Sequence, residues 1–207
     1  VATGAMPPLH AVGSTEGFVN SRGLAEAERQ TVVDWAKAGA PRGPGPEPVS
    51  ATPPANSWRI GEPDLVVDAG SDFAIPAEGE VPHQTFTVPF PIAEDRWVKS
   101  IEVLPADFEH TYHISVYVKN PPGGSEVPDA GPYGRGLLAS YARGHCERTY
   151  PDDAGKLIRR GAEIIFQAHY VANGTPGVDR PRVAFQFHDA PVSNHVVTRG
   201  VANAAFV

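Results

Sequence analysis

Cysteine is almost absent: Cys146 is the only one in 207 residues. An internal disulfide is therefore excluded, and so is a CxxCH haem-attachment motif within this chain. Methionine is equally scarce, with Met6 alone. Basic residues are outnumbered, 17 Lys and Arg against 24 Asp and Glu, for a formal net charge of −7. No basic patch marks the chain, so a nucleic-acid partner is not expected. No apolar run approaches the roughly 18 residues that a membrane-spanning helix needs, so no membrane span is expected.

What is abundant is proline (22) and glycine (21). Long helices do not tolerate that content, whereas turn-rich β domains do. One helix is expected, over residues 24–38 (LAEAERQTVVDWAKA). Leu24, Thr31, Val32 and Trp35 form its apolar stripe, Glu26 and Glu28 suit its first turn, and Gly39 is placed to cap its end. Trp35 is expected to pack that helix against a core. Residues 41–57 carry six prolines in 17 positions and read as a semi-rigid linker.

From residue 64 short β-rich runs alternate with turns: 64–69, 83–90, 96–105, 111–120, 136–142, 162–171, 182–189 and 195–201. Val, Ile, Phe, Tyr and Thr fill them, and clusters such as NPPGG (120–124) divide them. The expected fold is mainly β, an antiparallel β-sandwich.

Two histidines interrupt apolar strands, His113 in TYHISVYV and His169 in IIFQAHYV. Imidazole suits copper and zinc without help from thiolate. Two strand histidines on facing sheets could share a metal, or each could be an ordinary half-buried residue with a hydrogen-bonding partner.

The order of several stretches resembles one known arrangement. MPPLHA (6–11), LAEAERQTVVDWAKAGAPRG (24–43) and the Pro-rich linker resemble the end of a bacterial c-type cytochrome domain. WRIGEPDLVV (58–67), RWVKSIEVLP (96–105), YHISVYV (112–118), FQAHYVANG (166–174) and GVANAAFV (200–207) are similar to the first, copper-binding domain of ascorbate-dependent monooxygenases of the peptidylglycine-hydroxylating type. The resemblance implies a jelly-roll-like sandwich preceded by a short helical cytochrome c segment. Its implied boundaries are a cytochrome tail over 1–43, a linker over 44–63 and a copper-monooxygenase-like domain over 64–207 that is cut at its end.

The resemblance also implies cofactors and a setting. In that family an adjacent His-His pair and a third histidine in Q-x-H-Y hold the first copper. The third matches His169, and the second member of the pair matches His113. The first member is replaced by Tyr112. Tyr112 could lend its phenol oxygen, or His110, two residues away on the same pleat face, could substitute; His83 and His145 are candidates without a motif behind them. Met6 matches the axial methionine of haem c, whose attachment site would lie upstream.

The full-length protein is then a periplasmic or extracellular oxidoreductase, copper-dependent and monooxygenase-like, with an electron donor and a small-molecule or peptide-like substrate. The oxygen-activating domain, with its His-x-His, is missing from this chain, so the chain alone is expected to be inactive. The competing reading is a metal-free β-sandwich that serves as a binding or spacer module.

Overall fold

The computed structural model describes residues 24–46, 58–121, 136–143 and 147–198. Met6, His145, Cys146 and the GVANAAFV run lie outside the described residues. The chain divides into two units, residues 1–51 and 52–207, and the division falls within the Pro-rich segment.

The described part of the first unit is helix α1, Glu26–Lys37. Its start is fixed by the Glu28 carboxylate, which accepts a hydrogen bond from the Ala25 N–H at 2.8 Å. Its end is a Schellman turn. Gly39 takes φ +86°, its N–H reaches the Ala36 carbonyl, and the Ala40 N–H reaches the Trp35 carbonyl, which satisfies two of the last orphan acceptors. No residue of α1 is buried. Trp35 differs from expectation: its ring is 51% exposed, and its indole N–H donates to the Pro41 carbonyl at 2.9 Å. It ties the helix to the start of the linker rather than filling a core.

The second unit is mainly β. Its strands in chain order are β1 (Leu65–Asp68), β2 (Phe73–Ile75), β3 (Gln84–Pro89), β4 (Arg96–Leu104), β5 (Thr111–Lys119), β6 (Leu137–Ala142), β7 (Glu147–Thr149), β8 (Ala154–Ile158), β9 (Glu163–Tyr170), β10 (Gly177–Asp179), β11 (Arg182–Phe187) and β12 (Asn194–His195). One sheet runs β1-β11-β4-β8-β12, with β7 also paired to β4; a second runs β3-β9-β5-β6; β10 and β2 form a ribbon. All described pairings are antiparallel except β12 with β8.

Period-2 patterning decides which side chains meet. On β9, Ile164, Phe166, Ala168 and Tyr170 are buried while Glu163, Ile165, Gln167 and His169 face the other way. Ile114, Val116 and Val118 of β5 do the same. They form one cluster with Val98, Ile101 and Val103 of β4 and with Val183 and Phe185 of β11, so the two sheets share a core. Each fully buried residue of this size contributes about 1.5–3 kcal/mol. Strand β4 is covered on its second face too. Glu102, 1% exposed, accepts the Arg59 and Ile60 N–H groups, which pins the turn that follows Trp58 onto the sheet.

The run expected as a strand over 195–201 is not one in its described part. Only Asn194–His195 pair, and residues 196–198 are irregular.

A buried polar knot closes the end of the domain where β4 passes to β5. Asp179, 0% exposed, accepts the Ala106 N–H at 2.5 Å, the Asp107 N–H at 2.9 Å and the Tyr170 hydroxyl at 2.8 Å. Burial raises the pKa of Asp179 despite these donors. Burial first, and then the Asp179 carboxylate, pushes the Tyr170 phenol up, so Tyr170 stays a neutral donor. Gly177 packs against the next layer of the knot. A Cβ there would overlap the Asp107 carboxylate and sit 2.6 Å from Nδ1 of His110. Gly177→Ala is therefore expected to destabilise the domain by about 1–3 kcal/mol, the usual cost of overpacking, with urea unfolding as the measurement; an unchanged midpoint would show that the knot yields freely.

Candidate metal centre

The site follows from strand arithmetic. In the β3–β9 pairing Gln84 lies opposite Ala168, so His83, the residue just before the strand, comes beside His169. In the β5–β9 pairing His113 lies directly opposite His169. Directly paired residues point to the same face of a sheet. His83, His169 and His113 therefore share one rung across three adjacent strands, on the face turned away from the core. The expectation that His113 and His169 approach across a sandwich is corrected: they are neighbours within one sheet.

Tyr112 reaches the same face through an irregularity. Thr111 pairs with Tyr170 and His113 with His169, which leaves Tyr112 as an extra residue on β5. Adjacent residues of a regular strand point oppositely, and a bulge of one residue removes that alternation. Thr111 is consequently turned inward, 1% exposed, while Tyr112 and His113 both face outward. The inward turn has a cost: the Thr111 hydroxyl is buried without a hydrogen-bond partner among the described residues.

The rings gather more closely than their strands. Ring centres lie 4.4 Å apart for His83–His169, 5.4 Å for His113–His169 and 5.9 Å for His83–His113. The outer strands of such a triplet are separated by about 9–10 Å, so the His83 and His113 rings lean inward over His169. Tyr112 stands edge-on to two of them, 5.7 Å from His113 and 5.4 Å from His169, and is itself 62% exposed. The pKa of His113 is lowered, first by burial and then by the neighbouring His169 and His83. A neutral imidazole is the form that binds a metal.

No protein-family model matches the chain, and no curated protein matches it.

His110 does not join the cluster. It is 4% exposed, with Nδ1 2.7 Å from the Asp107 carboxylate and Nε2 2.9 Å from the Thr175 carbonyl. Both partners only accept, so both ring nitrogens are satisfied only when both carry protons. Met6, as noted, falls outside the described residues. His83 carried no motif in the sequence. The signal for it was its place at the head of the run 83–90, which becomes legible once that run is paired with β9.

The donor set, three imidazoles with a phenol beside them and no thiolate, suits copper or zinc. Among the described residues no three His, Cys or acidic side chains already converge in coordinating geometry. Binding therefore requires the rings to turn about Cβ–Cγ, a soft torsion.

The bonding of His110 has a consequence for stability. Its pKa is raised, chiefly by the Thr175 carbonyl and further by Asp107, against the opposing effect of burial. A group whose folded pKa exceeds its unfolded value stabilises the fold below the unfolded pKa and loses that contribution as pH rises through the folded one. Stability is thus expected to decline as pH climbs above about 6.5, and His110→Gln should remove that part of the slope. Urea midpoints measured from pH 5 to 9 check this, and parallel profiles for the two proteins would refute it.

Proposed function

We propose that the chain holds copper through His113 and His169 and serves as an electron-transfer module of a larger exported oxidoreductase, similar to the ascorbate-dependent copper monooxygenases. On this reading the β unit is a jelly-roll-like sandwich, and the first unit is the tail of a cytochrome c-like domain whose Met6 would face haem c. The observation that supports it best is the cross-strand His113–His169 pair beside a bulged Tyr112. An adjacent ligand pair needs that bulge to aim two consecutive side chains at one point, and here it survives although the first residue is tyrosine.

The chain's residues would divide the work simply. His169, central in the rung, and His113, opposite it, supply nitrogen donors from rigid paired backbone. Bound copper would supply one-electron redox chemistry. Tyr112 is a poorer neutral ligand, since a protonated phenol oxygen is a weaker donor than an imidazole nitrogen, and its exposure suits a cover better than a donor. Substrate, donor protein and oxygen chemistry would belong to the rest of the protein.

A second reading is favoured by one feature, the tyrosine at the position of a ligand histidine. In it the sheet face is a metal-free recognition surface for an extracellular partner, with Tyr112 as its aromatic contact.

Copper titration of the purified chain separates the two. One equivalent of copper is expected to bind, and His113→Ala and His169→Ala are each expected to weaken it by at least about tenfold. Stoichiometric uptake indifferent to both substitutions would sink the assignment, and absence of uptake would favour the recognition surface.

A further inference from the structure

We infer that His83 is the third imidazole of this centre, taking the place in coordination that Tyr112 cannot fill. The inference rests on the copper reading above and adds a ligand from a third strand. Three observations carry it.

The first is position. His83 directly precedes the first pair of the β3–β9 ladder, Gln84–Ala168, and its ring lies against His169, on the side of β9 opposite β5. The central histidine is therefore flanked by imidazole on both sides. The backbone there is anchored: Val81 is 5% exposed, Pro82 restricts φ, and the Gln84 side-chain amide donates to the Pro82 carbonyl at 2.8 Å. His83 is thus presented by a tethered entry to the strand and not by a free loop.

The second is convergence. A metal about 2 Å from each ring nitrogen sits about 3 Å from each ring centre, so three rings arranged around it have centres about 5–5.5 Å apart. The observed separations of 4.4, 5.4 and 5.9 Å bracket that value. The rings need to rotate but not to travel.

The third is the contrast with Tyr112. Its ring is about as near to His113 as His83 is, 5.7 against 5.9 Å, but farther from His169, 5.4 against 4.4 Å, so distance to His113 alone does not choose between them. Ligand chemistry does. An imidazole nitrogen suits copper as a ligand and binds in its neutral form, whereas a neutral phenol oxygen is a weak donor. The resulting centre is a three-nitrogen site on the face of the sheet turned away from the core, drawn from β9, β5 and the residue before β3.

The test uses copper alone. Cu(II) is added to the purified chain, affinity is read by competition with a chelator, and nitrogen coordination is read by electron paramagnetic resonance. Wild type is expected to show three nitrogens. His83→Ala and His83→Gln should each show two, with affinity lowered at least about 100-fold, because even outer partners of metal ligands are commonly worth about 10- to 100-fold. Tyr112→Phe should change affinity less than about threefold. His83 is exposed, so these variants should keep the wild-type circular dichroism, and His83→Gln guards against a failure peculiar to alanine. If both His83 variants bind as wild type does while His113→Ala and His169→Ala do not, His83 is not a ligand and the copper reading stands without it. If Tyr112→Phe produces the loss instead, the third donor is the phenol. If wild type binds no copper, both proposals fall.

Discussion

Strand β5 carries one residue more than β9 can pair between Thr111 and His113, and the shape of the histidine face depends on that extra residue. Without it Tyr112 would point into the core and Thr111 outward, since sheet faces alternate strictly along a regular strand. With it, a polar threonine is buried and an aromatic ring stands beside two of the three imidazoles. Burial of an unpartnered hydroxyl costs on the order of 1–3 kcal/mol. A bulge with such a cost persists only where the backbone on both sides is held firmly.

The holding is visible just before the bulge. Asp179 receives two backbone N–H groups from residues 106 and 107 and the hydroxyl of Tyr170, which is the residue paired with Thr111. Asp107 accepts the N–H groups of Glu109 and His110 and the ring of His110. The far nitrogen of His110 faces Thr175, and the Val171 N–H donates to the carbonyl of His110. The end of β4, the start of β5, the end of β9 and the segment before β10 are thus tied by side chains that are each satisfied through several bonds. Such networks confer rigidity only when complete, because each polar group left alone in a low dielectric is costly. His110 therefore contributes to the centre by fixing the backbone three residues ahead of His113, which is a different part from that of a substitute ligand.

The long strands were legible in the sequence because β-branched and aromatic residues alternate in them or fill them: β3, β4, β5, β9 and β11 lie within the expected runs. Of the short strands, β1 falls within the expected run 64–69, but β2, β7 and β8 were not legible. Strand β2 has three residues, and β7 reads Glu-Arg-Thr with every residue exposed. In β8, Ala-Gly-Lys-Leu-Ile, the core-facing pattern is disguised by Lys156. That lysine is 7% exposed, its ammonium meets the Leu137 carbonyl and the Thr198 hydroxyl, and burial draws its pKa down to about 8. A buried lysine with dedicated acceptors leaves no trace in hydrophobic periodicity. Of the centre, His113 and His169 were legible as anomalies in apolar strands. That they stand in one sheet was not, because strand order is a property of long-range pairing. His83 was hidden for the same reason: it lies 30 residues before His113 in sequence and meets it only through β9.

Three side chains on one rung of a sheet form a different kind of site from three on loops. The backbone at His113 and His169 is fixed by a ladder that continues into the core through Ala168 and Ile114, and His83 directly precedes the β3 ladder. Only the side-chain torsions remain free, and for imidazole the last of these is soft. Such a scaffold lets the rings turn while the backbone positions from which they project stay still. Two of the side chains on that face of the sheet, His83 and Tyr112, are exposed. Tyr112, 62% exposed, stands beside the imidazoles of His113 and His169. An exposed aromatic beside the imidazoles is unlike the sealed, water-excluded pocket that bond-making chemistry requires, and on the copper reading proposed above such a face would suit exchange of charge with an outside partner.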